Sequence, residues 1–418
     1  MKEIKRDLYL NKLIERKDND LIKIITGIRR CGKSYLLDPL FKNYLIESGV
    51  KEDHIIKLEL DSIENKEYQE PSKLYEFIMS QVNDDDMYYI LLDEIQKVND
   101  FESVLNSFLR KKNLDVYVTG SNSKFLSSDI VTEFRGRGDE IRVYPLSFAE
   151  FASGFDGDKQ EAFKEYSTYG GMPYILSRKT DESKSEYLNN LLKNTYINDI
   201  VERNNIQRED ILDTITNILA SSIGSLTNPL KIENTFKSNN INGITSPTIN
   251  IYLNYLLDAF LVNKADRYDI KGKKYISTPS KYYYTDIGLR NAKLNFRQQE
   301  ETHIMENIIY NELLVRGYNV DVGVVEINAK DENGNNIRKQ LEVDFVCNQG
   351  SKRYYIQSAF SIPDSEKMEQ EAKSLNNIGD SFKKIIIVKD NIKLWRDDNG
   401  IVIMSLEEFL LNPNSLDL

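Results

Sequence analysis

LIKIITGIRRCGKSYLL, residues 21–37, decides the fold. An apolar run at 21–26 enters a turn that carries Gly27 and Gly32, followed at once by Lys33 and Ser34. The spacing is GxxxxGK[ST] without a gap. Such glycines let the backbone curl until its N–H groups point inward at phosphate oxygens. A lysine at this place reaches the outer phosphates, and the hydroxyl beside it suits a magnesium ion. The helix expected from about residue 33 to 45 adds its positive end. The predicted phosphate-binding set is Gly27, Ile28, Arg29, Arg30, Cys31, Gly32, Lys33, Ser34 and Tyr35. Within it, Cys31 reads as a small tolerated residue rather than a nucleophile. Arg29 and Arg30 read equally well as phosphate contacts or as solvated side chains.

Around this stretch, strand-like and helix-like segments alternate over residues 1–150. Strands are expected at 55–60, 88–92 and 116–119, with helices at 72–82 and 101–110. Short apolar runs separated by amphipathic helices predict a buried parallel sheet. The run at 88–92 ends in Asp93-Glu94. A carboxylate at that strand end can hold Mg2+, so Ser34 and Asp93 are the expected metal ligands. Glu94 is placed to polarise an attacking water, which favours hydrolysis over transfer to a small molecule. After the strand at 116–119 come Ser121, the preferred polar contact to a terminal phosphate, and Asn122, its alternative. Turn chemistry explains both equally well. Arg135 and Arg137 flank Gly136. Either could stabilise transition-state charge in a neighbouring copy, or be a loop arginine, and this raises a homo-oligomer as an expectation.

The remainder reads as three segments. Residues 151–228 are mainly helical, with a Gly-Gly-Met-Pro stop at 170–173. Residues 229–290 have the outline of a winged helix. A helix starts at Ser246-Pro247 and carries Ile249, Tyr252, Leu253 and Leu256 on one stripe. A strand–turn–strand follows, with its turn at 270–274. Residues 229–284 hold eight Lys/Arg against four acids, a local +4 in a chain of net charge −11. Lys271, Lys273 and Lys274 at the turn could contact nucleic-acid phosphates, and interdomain packing is an equal reading. Residues 300–418 form a further α/β segment, with Asn333-Gly334 marking a hairpin.

Composition sets the outer bounds. With 418 residues, 40% of them apolar and 29% charged, the chain is globular and of more than one domain. Two cysteines form no disulfide framework, so a reducing compartment is expected. Two histidines, His54 and His303, have no second ligand at metal spacing and read as structural or solvated. The first twenty residues lack an apolar signal core, and no run reaches membrane-spanning length, so a cytoplasmic protein without a membrane partner is expected.

Several stretches together resemble a known family. They are ITGIRRCGKSYLL (25–37), LLDEIQ (91–96), VTGSNSKFLS (118–127), PLSFAEF (145–151), GGMP (170–173), YINDIVERNNI (196–206), KYYYTDIGLRNA (281–292), LEVDF (341–345) and YYIQSAF (354–360). The chain resembles prokaryotic AAA-type P-loop ATPases with a C-terminal nuclease-like domain of unknown function. The resemblance implies an AAA core, a winged helix and a restriction-endonuclease-like fold, with ATP as ligand and hydrolysis as activity. A nuclease of that fold resembles a helix Glu, a strand Asp and then Glu-x-Lys on the next strand. Glu306 and Asp344 fill the first two places, but Gln357 and Ala359 stand in the others. The expectation is a degenerate domain that does not cut DNA.

Overall fold

The computed structural model describes residues 3–121, 136–241, 243–298, 300–330 and 334–418. They form two compact units, 1–145 with 258–260, and 146–257 with 261–418. Apart from residues 258–260, the segments expected at 151–228, 229–290 and 300–418 therefore fall inside one unit.

Among the described residues, the first unit is built on five strands. They are β1 (Ile22–Thr26), β2 (Ile55–Glu59), β3 (Tyr88–Asp93), β4 (Leu114–Thr119) and β5 (Gly138–Arg142). Their order is β2-β3-β4-β1-β5, with every pairing parallel. β1 and β3 are buried along their whole length, which is why they read as continuous apolar runs. Ile24, Leu58, Ile90, Leu92 and Val118 meet Leu74, Ile78, Leu105 and Phe108 from helices Pro71–Gln81 and Phe101–Phe108. Lys23 breaks the apolar pattern of β1. It is fully buried and neutralised by Asp115 on β4, because an unpaired ammonium there would be very costly. The helix expected at 33–45 is interrupted at Asp38-Pro39, where Asp38 leaves helical geometry. Helix Asp7–Glu15 and strand β5 were not anticipated. The first is short, and the second carries three charged residues among five.

The second unit begins with helices. Phe148–Gly154 and Lys159–Tyr169 both start with a capping box, Ser147/Glu150 and Asp158/Glu161. The Gly-Gly-Met-Pro stop is explained by a partner distant in sequence. Buried Asp286 accepts hydrogen bonds from Gly171 N (2.7 Å) and Leu289 N (3.1 Å). A Cβ on Gly288 would fall 2.0 Å from the Tyr169 carbonyl oxygen. The 170–173 and 281–292 stretches are thus two halves of one interlock.

Helices Pro229–Ser238 and Ser246–Asp258 precede β6 (Val262–Asp269) and β7 (Lys274–Tyr284). Ile249, Leu253 and Leu256 are buried as their spacing predicts. Helix Glu301–Val315 leads into β8 (Asn319–Lys330), β9 (Asn336–Gln349), β10 (Lys352–Ala359) and β11 (Lys383–Val388), followed by β12 (Trp395–Arg396) and β13 (Val402–Ser405). The sheet order is β12-β13-β11-β10-β9-β8-β6-β7. β6 pairs parallel with β8, Arg267 to Val322 and Asp269 to Val324. The strand pair of the expected winged helix is therefore part of the C-terminal sheet. β8 and β9 form the expected antiparallel hairpin. Asn333 of its turn lies outside the described residues.

Candidate functional site

The phosphate loop leaves the C-terminal end of β1. Gly27 (φ 139°) and Gly32 (φ 101°) occupy left-handed backbone, and a Cβ on Gly27 would meet the Val143 carbonyl oxygen at 2.1 Å. Only glycine fits there. Ile28 and Cys31 turn their side chains into the core, and the Cys31 thiol donates to Val143 O at 3.4 Å. These two residues can offer a phosphate only their backbone. Arg30, Ser34 and Tyr35 are exposed. Lys33 is buried, and its ammonium donates to the carbonyls of Gly27 and Ile28, each at 3.1 Å. The lysine is thus already folded back over the loop.

The end of β3 lies beside the loop. Asp93 is buried, and burial raises its carboxyl above the ordinary range while hydrogen bonds from Thr119 and Ser34 pull it down. The Ser34–Asp93 contact brings together the two expected metal ligands. A hydroxyl next to a carboxylate suits a hard cation such as Mg2+. Glu94 takes a left-handed conformation (φ 53°), rare for a non-glycine residue and common at functional sites. This turns its side chain away from the strand direction. Its carboxylate accepts from Gln96, and its amide donates to Thr119 Oγ1 at 2.9 Å.

Thr119, the last residue of β4, joins the two acids by donating to Asp93 Oδ1 and accepting from Glu94 N. Sequence reading placed the polar contact two residues further on. Ser121 does lie near the acid, 3.4 Å from Glu94 Oε2, and Arg29 Nε stands 3.4 Å from Ser121 Oγ. Thr119 was missed because a threonine closing a buried strand looks like a β-former. Arg6 was missed as well. Its guanidinium donates to Cys31 O (3.0 Å) in the loop and to Tyr144 O (2.7 Å). No motif signalled it.

Arg137 sits at the other end of the sheet. It is exposed, and its carbonyl accepts from Ile22 N, where β1 begins. The five residues of β1 separate it from its own loop, roughly 16 Å at ordinary strand rise. It does not approach the phosphate loop of its own chain. Arg135 and Asn122 lie outside the described residues.

His54, expected to lack partners at metal spacing, comes within 4.8 Å of Asp84 and Asp86. Its ring stacks on Tyr88 at 4.2 Å, its Nε2 lies 3.4 Å from Asp84, and Lys51 holds Asp86 at 3.2 Å. The cluster is thus a polar group at the starts of β2 and β3, away from the phosphate loop.

In the second unit, Lys271, Lys273 and Lys274 are exposed, and Lys271 donates to Glu326 O. Lys281 is not a surface charge. It is buried against Glu306 (2.8 Å), Glu342 (2.7 Å) and Asp344 (3.9 Å). It therefore drops out of the basic face to which its sequence position assigned it.

A parallel sheet with a glycine-rich loop at the end of β1 and an Asp-Glu pair at the end of β3 is the arrangement of a P-loop nucleotide-binding domain. Residues 19–152 match the family model described as AAA domain, and residues 160–300 match one described as Domain of unknown function (DUF8612). A Haemophilus influenzae protein named "Uncharacterized protein" is 35% identical over 98% of both chains. The chain belongs to its family. A Methanocaldococcus jannaschii protein, "Uncharacterized protein MJ1544", is 29% identical over 97% of this chain and 88% of its own. Among solved structures, AMPPCP-bound DnaA from Aquifex aeolicus covers 62% of this chain and 89% of its own, at 15% identity and TM-score 0.31. The Aeropyrum pernix ORC1 protein in complex with DNA covers 69% and 92%, at 11% identity and TM-score 0.29. Among the described residues, no helix is long and apolar enough to cross a membrane.

Proposed function

We propose that the chain binds ATP with Mg2+ at residues 27–35 and hydrolyses it, serving as a nucleotide-driven switch for its C-terminal domains. One observation carries this reading: Ser34, Asp93, Thr119 and Glu94 form a single hydrogen-bonded chain beside the loop that holds Lys33. On nucleotide binding, Lys33 exchanges the Gly27 and Ile28 carbonyls for phosphate oxygens. Ser34 and Asp93 would hold the magnesium, which supplies charge neutralisation when bound. Glu94 orients a water and takes its proton. A homo-oligomer would let Arg137 of one copy serve another copy's site.

Measured turnover tests this. Lys33→Ala weakens ATP binding, whereas Glu94→Gln keeps binding and slows hydrolysis by about 10²-fold. Unchanged turnover in both variants would overturn the reading.

The second unit supports a restriction-endonuclease-like reading of helix Glu301–Val315 with β8 to β11, in a form that does not cut DNA. Gln357 and Ala359 stand where an acid and a lysine would be needed. A second role rests on the exposed lysines at the β6–β7 turn, where a helix followed by a strand pair has the outline of a winged helix. There Lys271, Lys273 and Lys274 would meet DNA phosphates.

A further inference from the structure

The second unit gathers a group of acids that the nucleotide reading does not use. Glu306 projects from helix Glu301–Val315, and Glu342 and Asp344 project from β9. Glu306 and Asp344 are each 8% exposed. Carboxylates gathered so closely repel one another unless a cation lies among them. The cation present is Lys281 from β7. Its ammonium lies 2.8 Å from Glu306 Oε1, 2.7 Å from Glu342 Oε1 and 3.9 Å from Asp344 Oδ1. Two further contacts to the cluster come from protein. The Tyr283 hydroxyl donates to Glu306 Oε1 at 2.6 Å, and the Ser358 amide donates to Asp344 Oδ2 at 2.8 Å.

We propose that Lys281 is the resident cation of this site, filling with its own ammonium the place a divalent metal would otherwise take among Glu306, Glu342 and Asp344. Mg2+ needs oxygens at about 2.1 Å. An ion bound to Glu306 Oε1 at that distance would stand no more than about 5 Å from the ammonium, a like-charge contact out of water. The two cations therefore exclude each other. Access argues the same way. Lys281 is 3% exposed, and the Gly224 backbone lies so close that a Cβ there would fall 2.9 Å from the Glu306 carboxylate. Only Glu342 of the three acids stays partly open to solvent, at 37% of its side chain. The lysine absent from β10 is thus replaced in charge, but not in catalytic role, by one from β7. This inference is independent of the nucleotide reading.

The test uses full-length protein and Tb3+ luminescence excited through tyrosine. The parent and Asp344→Asn give the same signal, because no metal enters the cluster in either. Lys281→Met gains one site, binding about ten-fold tighter than any the parent shows there. Lys281→Met with Asp344→Asn loses that site again. Millimolar Mn2+ raises the melting temperature of Lys281→Met more than the parent's, and Asp344→Asn removes that difference. A parent signal that Asp344→Asn lowers would overturn the proposal. So would a Lys281→Met chain that gains no Asp344-dependent site. Lys281→Gln is the second variant, and failure of both Lys281 variants to fold even with Mn2+ counts against the proposal as well. So does Mg2+-dependent plasmid cleavage by the parent that Asp344→Ala abolishes.

Discussion

Thr119→Val is the most informative single change in the first unit. Valine keeps the volume and the β-branch and deletes only a hydroxyl. That hydroxyl donates to Asp93 and accepts from the Glu94 amide at 2.9 Å. Thr119 is fully buried and Asp93 is 7% exposed, so water does not replace the lost partners. A hydrogen bond to a charged group contributes about 1.5–3 kcal/mol and a neutral one about 0.5–1.5, so the expected loss is about 2–4 kcal/mol. Urea unfolding followed by circular dichroism measures it. Function suffers too, because this contact holds the left-handed turn at Glu94, and a displacement of about 1 Å at a reacting group costs about 10²-fold in rate. Thr119→Ser, which keeps the hydroxyl, should recover most of both losses. A Val variant within about 0.5 kcal/mol of the parent would refute the reasoning if its ATP turnover also stayed within about two-fold.

Two further outcomes concern the second unit. Burial, with the Glu306 charge beside it, pushes the Asp344 carboxyl up from 3.8 to about 8. The folded state keeps that proton where the unfolded chain has released it. The stabilisation is therefore complete below 3.8 and is lost as pH rises through about 8. Asp344→Asn removes this part of the slope, and parallel stability–pH curves for parent and variant would count against it. At the β6–β7 turn, Lys271→Glu with Lys273→Glu should weaken DNA binding and lower the salt slope by about 2, as judged by gel shift at several salt concentrations. An unaltered slope would remove the DNA role.

What could be read from the sequence was local. Gly27, Gly32, Lys33 and Ser34 are candidates because of contiguous backbone geometry, which spacing alone displays. Asp93 and Glu94 followed because a buried run must end where the chain turns to solvent. Thr119, Arg6 and Lys281 were hidden because each acts through a partner far along the chain. Lys281 was counted toward a basic surface, and only the pairing of β6 with β8 shows why it faces inward. Asp286 was part of a recognised motif, but nothing in the sequence tied it to Gly171. Arg137 shows the reverse case: its residue type was suggestive, and the parallel register of β5 with β1 carries it to the far end of the sheet.

The parallel pairing of β6 with β8 bears on how the tail can be studied in isolation. A fragment beginning near residue 300 would leave Val322, Gly323 and Val324 without the neighbours that satisfy that margin of the sheet. Bare margins of this kind recruit other chains. The same truncation would strip Glu306, Glu342 and Asp344 of Lys281. Any excised version of the tail must therefore reach back through the hairpin that precedes it.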